Sequence, residues 1–153
     1  MALETSAFIY LLEKIEKGSH VLIASEALIY ENNKSPDEQR KVRVASYFSL
    51  AREFVGADFS DVERVDCLRE LGFPDIDALH VALAEKSRAD YFVTCDDDII
   101  KLYKRHKDLV KVNMVSLIEL VSLEVRSNGS GPSRNKDEGM ERLSERIGLC
   151  WSN

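Results

Sequence analysis

No stretch of this sequence approaches the ~20 consecutive apolar residues that a membrane-spanning helix needs, so no membrane partner is expected. The N-terminus lacks a basic n-region and carries Glu4 instead, so no secretory signal peptide is expected. Cysteine is sparse and odd in number: Cys67, Cys95 and Cys150 show no paired metal-ligand spacing. They read as thiols of a reducing cytosol, and the expected location is cytoplasmic. There is no internal repeat. Nor is there an excess of positive charge: the formal net charge is −6. That excludes a general nucleic-acid coat, which should be basic. It does not exclude a nuclease in which acids hold a metal and a local basic patch meets phosphates.

What is present is one domain's worth of alternating helices and strands. The chain has 153 residues, 44% hydrophobic and 31% charged, enough for a single domain with a sizeable core. Leu3, Ala7, Phe8, Leu11, Leu12 and Ile15 recur at helical spacing, and Gly18 is placed to stop that helix. Val21–Ala24 reads as a short buried strand, followed by Ser25 as N-cap of a helix from Glu26 to about Asn32. Ser35-Pro36-Asp37-Glu38 reads as a helix start with Val44, Ala45, Phe48, Ala51 and Val55 on the buried face. Ser60-Asp61-Val62-Glu63 begins another helix that Gly72 ends. A helix from about Asp75 follows, then the apolar run Tyr91–Thr94 of a parallel-sheet strand. After three aspartates comes a short basic helix anchored by Ile99, Ile100 and Tyr103. Val110–Val115 alternates like a strand, and Ser116-Leu117-Ile118-Glu119 starts a last helix. The expected class is α/β with a short parallel sheet over residues 1–126. The Ser/Asn/Gly-rich stretch from Ser127 suggests a flexible tail over 127–153, with at most a weak helix between Met140 and Ile147.

Acids gather where an α/β sheet builds its sites, just past the C-terminal ends of strands. Glu31 follows the first strand, Asp77 lies in the first turn of a helix, and Asp96 and Asp98 follow Tyr91–Thr94. Singly, each has a plain reading. Asp77 complements a helix dipole, Glu31 is a surface residue, and Asp96 caps a helix. Together they are hard oxygen ligands suited to Mg²⁺ or Mn²⁺, a cation able to activate water and stabilise a phosphodiester's leaving oxygen. Lys101, Lys104 and Arg105, with Lys107 and Lys111, form a basic patch that reads as phosphate contacts or as a solvated helix face. His80, one turn on from Asp77, reads as packing, and Asp75 as a cap. A receiver-like phospho-acceptor reading is weak, because neither acids after the first strand nor a late lysine in the expected place is visible.

The segments Asp77-Ala-Leu-His-Val-Ala and Ala89-Asp-Tyr-Phe-Val-Thr-Cys-Asp-Asp-Asp-Ile-Ile resemble the second half of a PIN domain of the VapC-like toxin type. Ser25–Glu31 resembles that family's strand-to-helix segment with its acidic residue, and Val112–Leu120 its closing strand and helix. The resemblance covers about residues 3–124. It implies a three-layer α/β/α fold and metal-dependent endoribonuclease activity, as a toxin held by a cognate antitoxin protein and commonly a homodimer. It also implies that Glu31, Asp77 and Asp96 are the metal-site carboxylates, with Asp98 and Thr94 supporting them. One departure stands out. The family opens on a strand ending in an aspartate that is a central ligand. Here Leu3-Glu4-Thr5-Ser6 lies within a helical pattern, and one helix and one strand already fill the interval between Glu4 and Glu31. The expectation is that the family's first strand is missing, leaving a gap in the sheet with unpaired edges. Two readings follow: a Mg²⁺- or Mn²⁺-dependent ribonuclease, or a catalytically inactive remnant that only binds a protein partner.

Overall fold

The computed structural model describes residues 2–129 and 145–150, with side chains described over 5–126 and 145–150. The fold is α/β, a five-stranded, wholly parallel sheet flanked by helices. Helix α1 (Ala2–Glu16) buries Ala7, Leu11 and Ile15 at four-residue intervals. It ends at Gly18, whose φ of +80° lets the backbone turn into β1 (His20–Ser25). The backbone of Glu4 lies in α1, so no strand precedes β1 among the described residues.

Ser25 caps α2 (Glu26–Asn33) by accepting a hydrogen bond from the Leu28 amide at 3.1 Å. Helix α3 (Glu38–Phe48) starts later than Ser35 suggested, because Asp37 is the cap that engages the Arg40 amide. Of the face expected to be buried, Val44 is, whereas Ala45 is exposed. Strand β2 (Glu53–Val55) was not anticipated. At three residues on a sheet edge it carries no usable periodicity. Asp58, not Ser60, forms the capping box, with Asp61, on a short 3-10 turn leading into α4 (Val62–Glu70). Then come α5 (Asp75–Lys86), β3 (Tyr91–Thr94), α6 (Asp97–Arg105), β4 (Asn113–Val115) and α7 (Leu117–Gly129).

Over 127–129 and 145–150 the expected flexible tail gives way to regular structure; its other residues, 130–144 and 151–153, lie outside the described residues. Helix α7 runs through to Gly129, and Glu145–Cys150 form β5. The strand order is β2-β1-β5-β3-β4, so β5 occupies the centre, paired with β1 on one side and β3 on the other. The sheet was expected to lack a strand; its centre is instead filled by the C-terminal strand. A weak helix reaching Ile147 is likewise replaced by strand from Glu145; the remainder of that stretch, 140–144, lies outside the described residues.

Packing explains why β5 sits there. Ile147 is fully buried beside Leu22, its register partner on β1, and Leu149 faces Val93 on β3. Both join the layer formed by α1 and α7. Cys150 turns to the opposite layer with Phe92, Ala84 and Met114. A Cβ at Gly148 would make ordinary van der Waals contact, 3.6 Å from Phe92 and 3.8 Å from Ala84, so α5 packs closely over the strand there. Arg146 fastens the strand laterally, donating from Nε to Glu53 at 2.7 Å, while its amide donates to Asp90 Oδ2 at 2.7 Å. The result is three layers, with α1 and α7 on one face and α4, α5 and α6 on the other.

Candidate active site at the carboxyl edge of the sheet

The C-terminal ends of β1, β5 and β3 lie side by side in the middle of the sheet, where the chain's connections diverge to either edge. Such a crevice is where open α/β sheets hold ligands. Three elements bring acids to it. Glu31 projects from α2, which follows β1. Asp77 is the third residue of α5. Asp96 caps α6, its Oδ1 accepting the amides of Asp98 at 2.9 Å and Ile99 at 3.3 Å. That cap engages Oδ1 of Asp96.

Their proximity is registered electrostatically at Asp77. Burial raises its carboxyl above the usual aspartate range. The nearby His80 opposes that shift, and the negative charges of Glu31 and Asp96 add to it. The acids that are spread over 66 positions of sequence (96 − 31 + 1) therefore act on one another in space. Thr94, 1% exposed, supports the loop: its Oγ1 accepts the Asp96 amide at 3.2 Å. Asp98 stands in the first turn of α6 with an exposed side chain, and its amide donates to Asp96 Oδ1.

His80 is more than packing. It is 1% exposed, lies three residues along α5 from Asp77 on the same face, and its Nε2 meets Glu31 Oε2 at 2.9 Å. With Glu31 accepting, Nε2 carries the proton. His80 Nδ1 is buried without a hydrogen-bond partner. Single ligand atoms of Glu31, His80 and Cys150 all lie within 4.8 Å of one another. The sequence hid this because Glu31 and Cys150 are remote from His80 in the chain; the i, i+3 spacing from Asp77 was the visible signal.

Among the described residues, the group at this edge that brings one ligand atom each within 4.8 Å is Glu31, His80 and Cys150; the expected trio of Glu31, Asp77 and Asp96 does not come that close. The sheet's central strand brings Cys150, not an aspartate, to this edge.

Basic residues flank the acids in two places. A cavity of about 180 Å³ beside Glu31 is lined by Asn32, Lys34, Ser35 and Arg40 among others. Lys34 and Arg40 were not singled out from sequence, because only the turn between α2 and α3 brings them beside Glu31. The expected patch of Lys101, Lys104 and Arg105 runs down α6 away from the acids. At 1.5 Å per residue, Arg105 lies roughly 12 Å along the axis from Asp97. Lys104 sits 4.0 Å from Glu119 on α7. Asp75 is not the α5 cap, a position held by Pro74; it pairs with Arg69 at 2.7 Å.

Among the described residues no helix is long and apolar enough to cross a membrane. Comparison with protein-family models, with curated proteins and with solved structures returns no match.

Proposed function

We propose that this chain is a Mg²⁺- or Mn²⁺-dependent endoribonuclease of the PIN type, acting as the toxin of a pair that a cognate antitoxin protein restrains. The observation that carries the reading is the convergence of Glu31, Asp77 and Asp96, from three separate elements, at the carboxyl edge of a parallel sheet. Mutually repelling, half-buried carboxylates are costly alone and are stabilised by a cation. When bound, the metal supplies water activation and charge stabilisation at the phosphodiester.

The chain's own groups have definite tasks. Glu31 and Asp96 each commit one oxygen to a protein partner, which orients the other. His80 holds Glu31 and is itself held by its buried position in α5. Thr94 positions the Asp96 loop. Lys34 and Arg40, beside Glu31, are placed to meet the backbone phosphates of a single strand, with Lys101, Lys104 and Arg105 farther along. A homodimer belongs to the same reading.

The test is RNA cleavage by the purified chain with Mn²⁺ or Mg²⁺, beside Asp96→Asn and an EDTA control. Asparagine caps helices as well as aspartate does, so the fold is kept while a charged ligand is lost. Metal-dependent cleavage abolished by the substitution is the expected result; cleavage unchanged by it removes Asp96 from the site. A second reading, an inactive protein-binding remnant, is favoured by Cys150 standing at the end of the central strand. It predicts a folded chain, no metal-dependent cleavage, and retained binding to a protein partner.

A further inference from the structure

At the opposite, amino-terminal edge of the sheet lies a second convergence of ligating side chains. His20 is the first residue of β1, Glu145 the first of β5, and the two are register partners, so their side chains stand on the same face. Glu124 reaches them from α7. Single ligand atoms of all three lie within 4.8 Å of one another. His20 Nε2 contacts Glu124 Oε1, and His20 Nδ1 lies 3.5 Å from Glu145 Oε2.

His20 is 4% exposed and pairs through Nε2 with Glu124 Oε1. His20 Nδ1 and Glu145 Oε2, 3.5 Å apart, are buried without a hydrogen bond. Leaving two such atoms unmet is expensive. Two carboxylates and a neutral imidazole sum to −2, the charge a divalent cation neutralises; a protonated imidazole would leave −1. Burial and the Glu124 charge push the Tyr10 hydroxyl up, and burial with Glu145, Asp90 and Glu124 does the same at Tyr91. The two glutamates thus make the surroundings of His20 negative. Glu145 is the most open of the three, with 46% of its side chain exposed, which leaves room for a water as a further ligand.

We propose that His20, Glu124 and Glu145 form a structural site for a transition-metal dication of the Zn²⁺ class, which clips the C-terminal strand to β1 and α7. One imidazole and two carboxylates plus water is a donor set that Zn²⁺ accepts, and imidazole disfavours Mg²⁺. The clip lies at the far end of the sheet from Glu31, Asp77 and Asp96 and stands whether or not that site cuts RNA. Its role is to hold in place the one strand that arrives last in the chain.

The test uses the whole chain and Co²⁺ as a spectroscopic probe. Any Co²⁺ at Glu31, His80 and Cys150 carries a near-ultraviolet thiolate charge-transfer band, whereas Co²⁺ at His20, Glu124 and Glu145 has none. In Cys150→Ser/Asp96→Asn, which also removes a charged ligand of the Glu31–Asp77–Asp96 set, the expected result is one equivalent of Co²⁺ with visible d–d absorption and no thiolate band. Adding Glu124→Gln, or Glu145→Gln should the first variant fail to fold, weakens that binding at least about tenfold. Saturating Zn²⁺ raises the Tm of Cys150→Ser/Asp96→Asn by on the order of 5 °C and slows amide exchange across 145–150, and both effects vanish with the glutamine. No Co²⁺ bound to Cys150→Ser/Asp96→Asn, or binding undiminished in both glutamine variants, overturns the site and leaves an imidazolium–carboxylate triad only.

Discussion

Replacing Ile147 with alanine should be among the most damaging single truncations in this chain. Ile147 is fully buried at the centre of the central strand, flanked by Leu22 and Tyr91 in register and covered by the layer that contains Leu11, Ile15 and Leu120. The substitution removes three carbon atoms, about 2.4 kcal/mol at ~0.8 kcal/mol for each buried methylene. Neighbours on both strands and both covering helices cannot all move inward, so a cavity term of ~1–2 kcal/mol adds to it. The expected destabilisation is about 3.5–4.5 kcal/mol. Urea unfolding followed by far-ultraviolet circular dichroism reads this directly. With a slope of ~2 kcal/mol per molar, the midpoint falls by roughly 2 M with the slope unchanged. Val125→Ala, on the exposed side of α7, is the control and should stay within ~0.5 kcal/mol. An Ile147→Ala midpoint equal to that control would refute the placement of β5. It would return residues 145–150 to the tail that their composition suggested.

Three other outcomes follow from the same structure. Asp77 has its carboxyl raised by burial and by Glu31 and Asp96, so its folded-state value exceeds its unfolded one. Its contribution to stability is then full below the ordinary aspartate value and is lost as pH rises through the raised one. The metal-free chain should lose stability over that interval, Asp77→Asn should not, and a Mn²⁺-dependent removal of the effect in the parent is expected; a pH profile identical in parent and Asp77→Asn contradicts it. Arg64 pairs with Glu85 through both Nε and Nη2 and also donates to the Leu109 carbonyl. Glu85 has a side chain only 6% exposed, so Arg64→Ala strands a buried charge and should cost roughly 2–4 kcal/mol by chemical denaturation, with a loss under 1 kcal/mol counting against it. If Lys34 and Arg40 meet RNA phosphates, replacing both with glutamine should weaken binding to single-stranded RNA. It should also lower the slope of log affinity against log salt by about 1.4; an unchanged slope would place the RNA elsewhere.

Much of the fold could be read from local signals because those signals act locally. Helices announced themselves through the spacing of Ala7, Leu11 and Ile15, through Ser25 as a cap, and through Gly18 and Gly72, both at positive φ. The Asp96 loop was legible both as a cap and as a candidate ligand, and it serves visibly as the cap. The acids Glu31, Asp77 and Asp96 were legible as a set because strand-end positions in an α/β order converge. Where local signals competed, an aspartate prevailed over a serine: Asp37 over Ser35 and Asp58 over Ser60, each moving the cap by two residues.

Composition and periodicity thus determined the class of the fold, the run of its first helices and strands, and the edge of the sheet at which acids collect. They could not determine which strand lies in the middle. Arg146 interrupts the apolar pattern of Glu145–Cys150 and is explained only by partners distant in sequence, Glu53 and Asp90. The partner of His80 was hidden for the same reason. A helix is stabilised by bonds to residues four positions away, so its evidence is carried in its own sequence. A central parallel strand is stabilised by two neighbours and two covering layers, and its burial exists only once the rest of the chain has surrounded it.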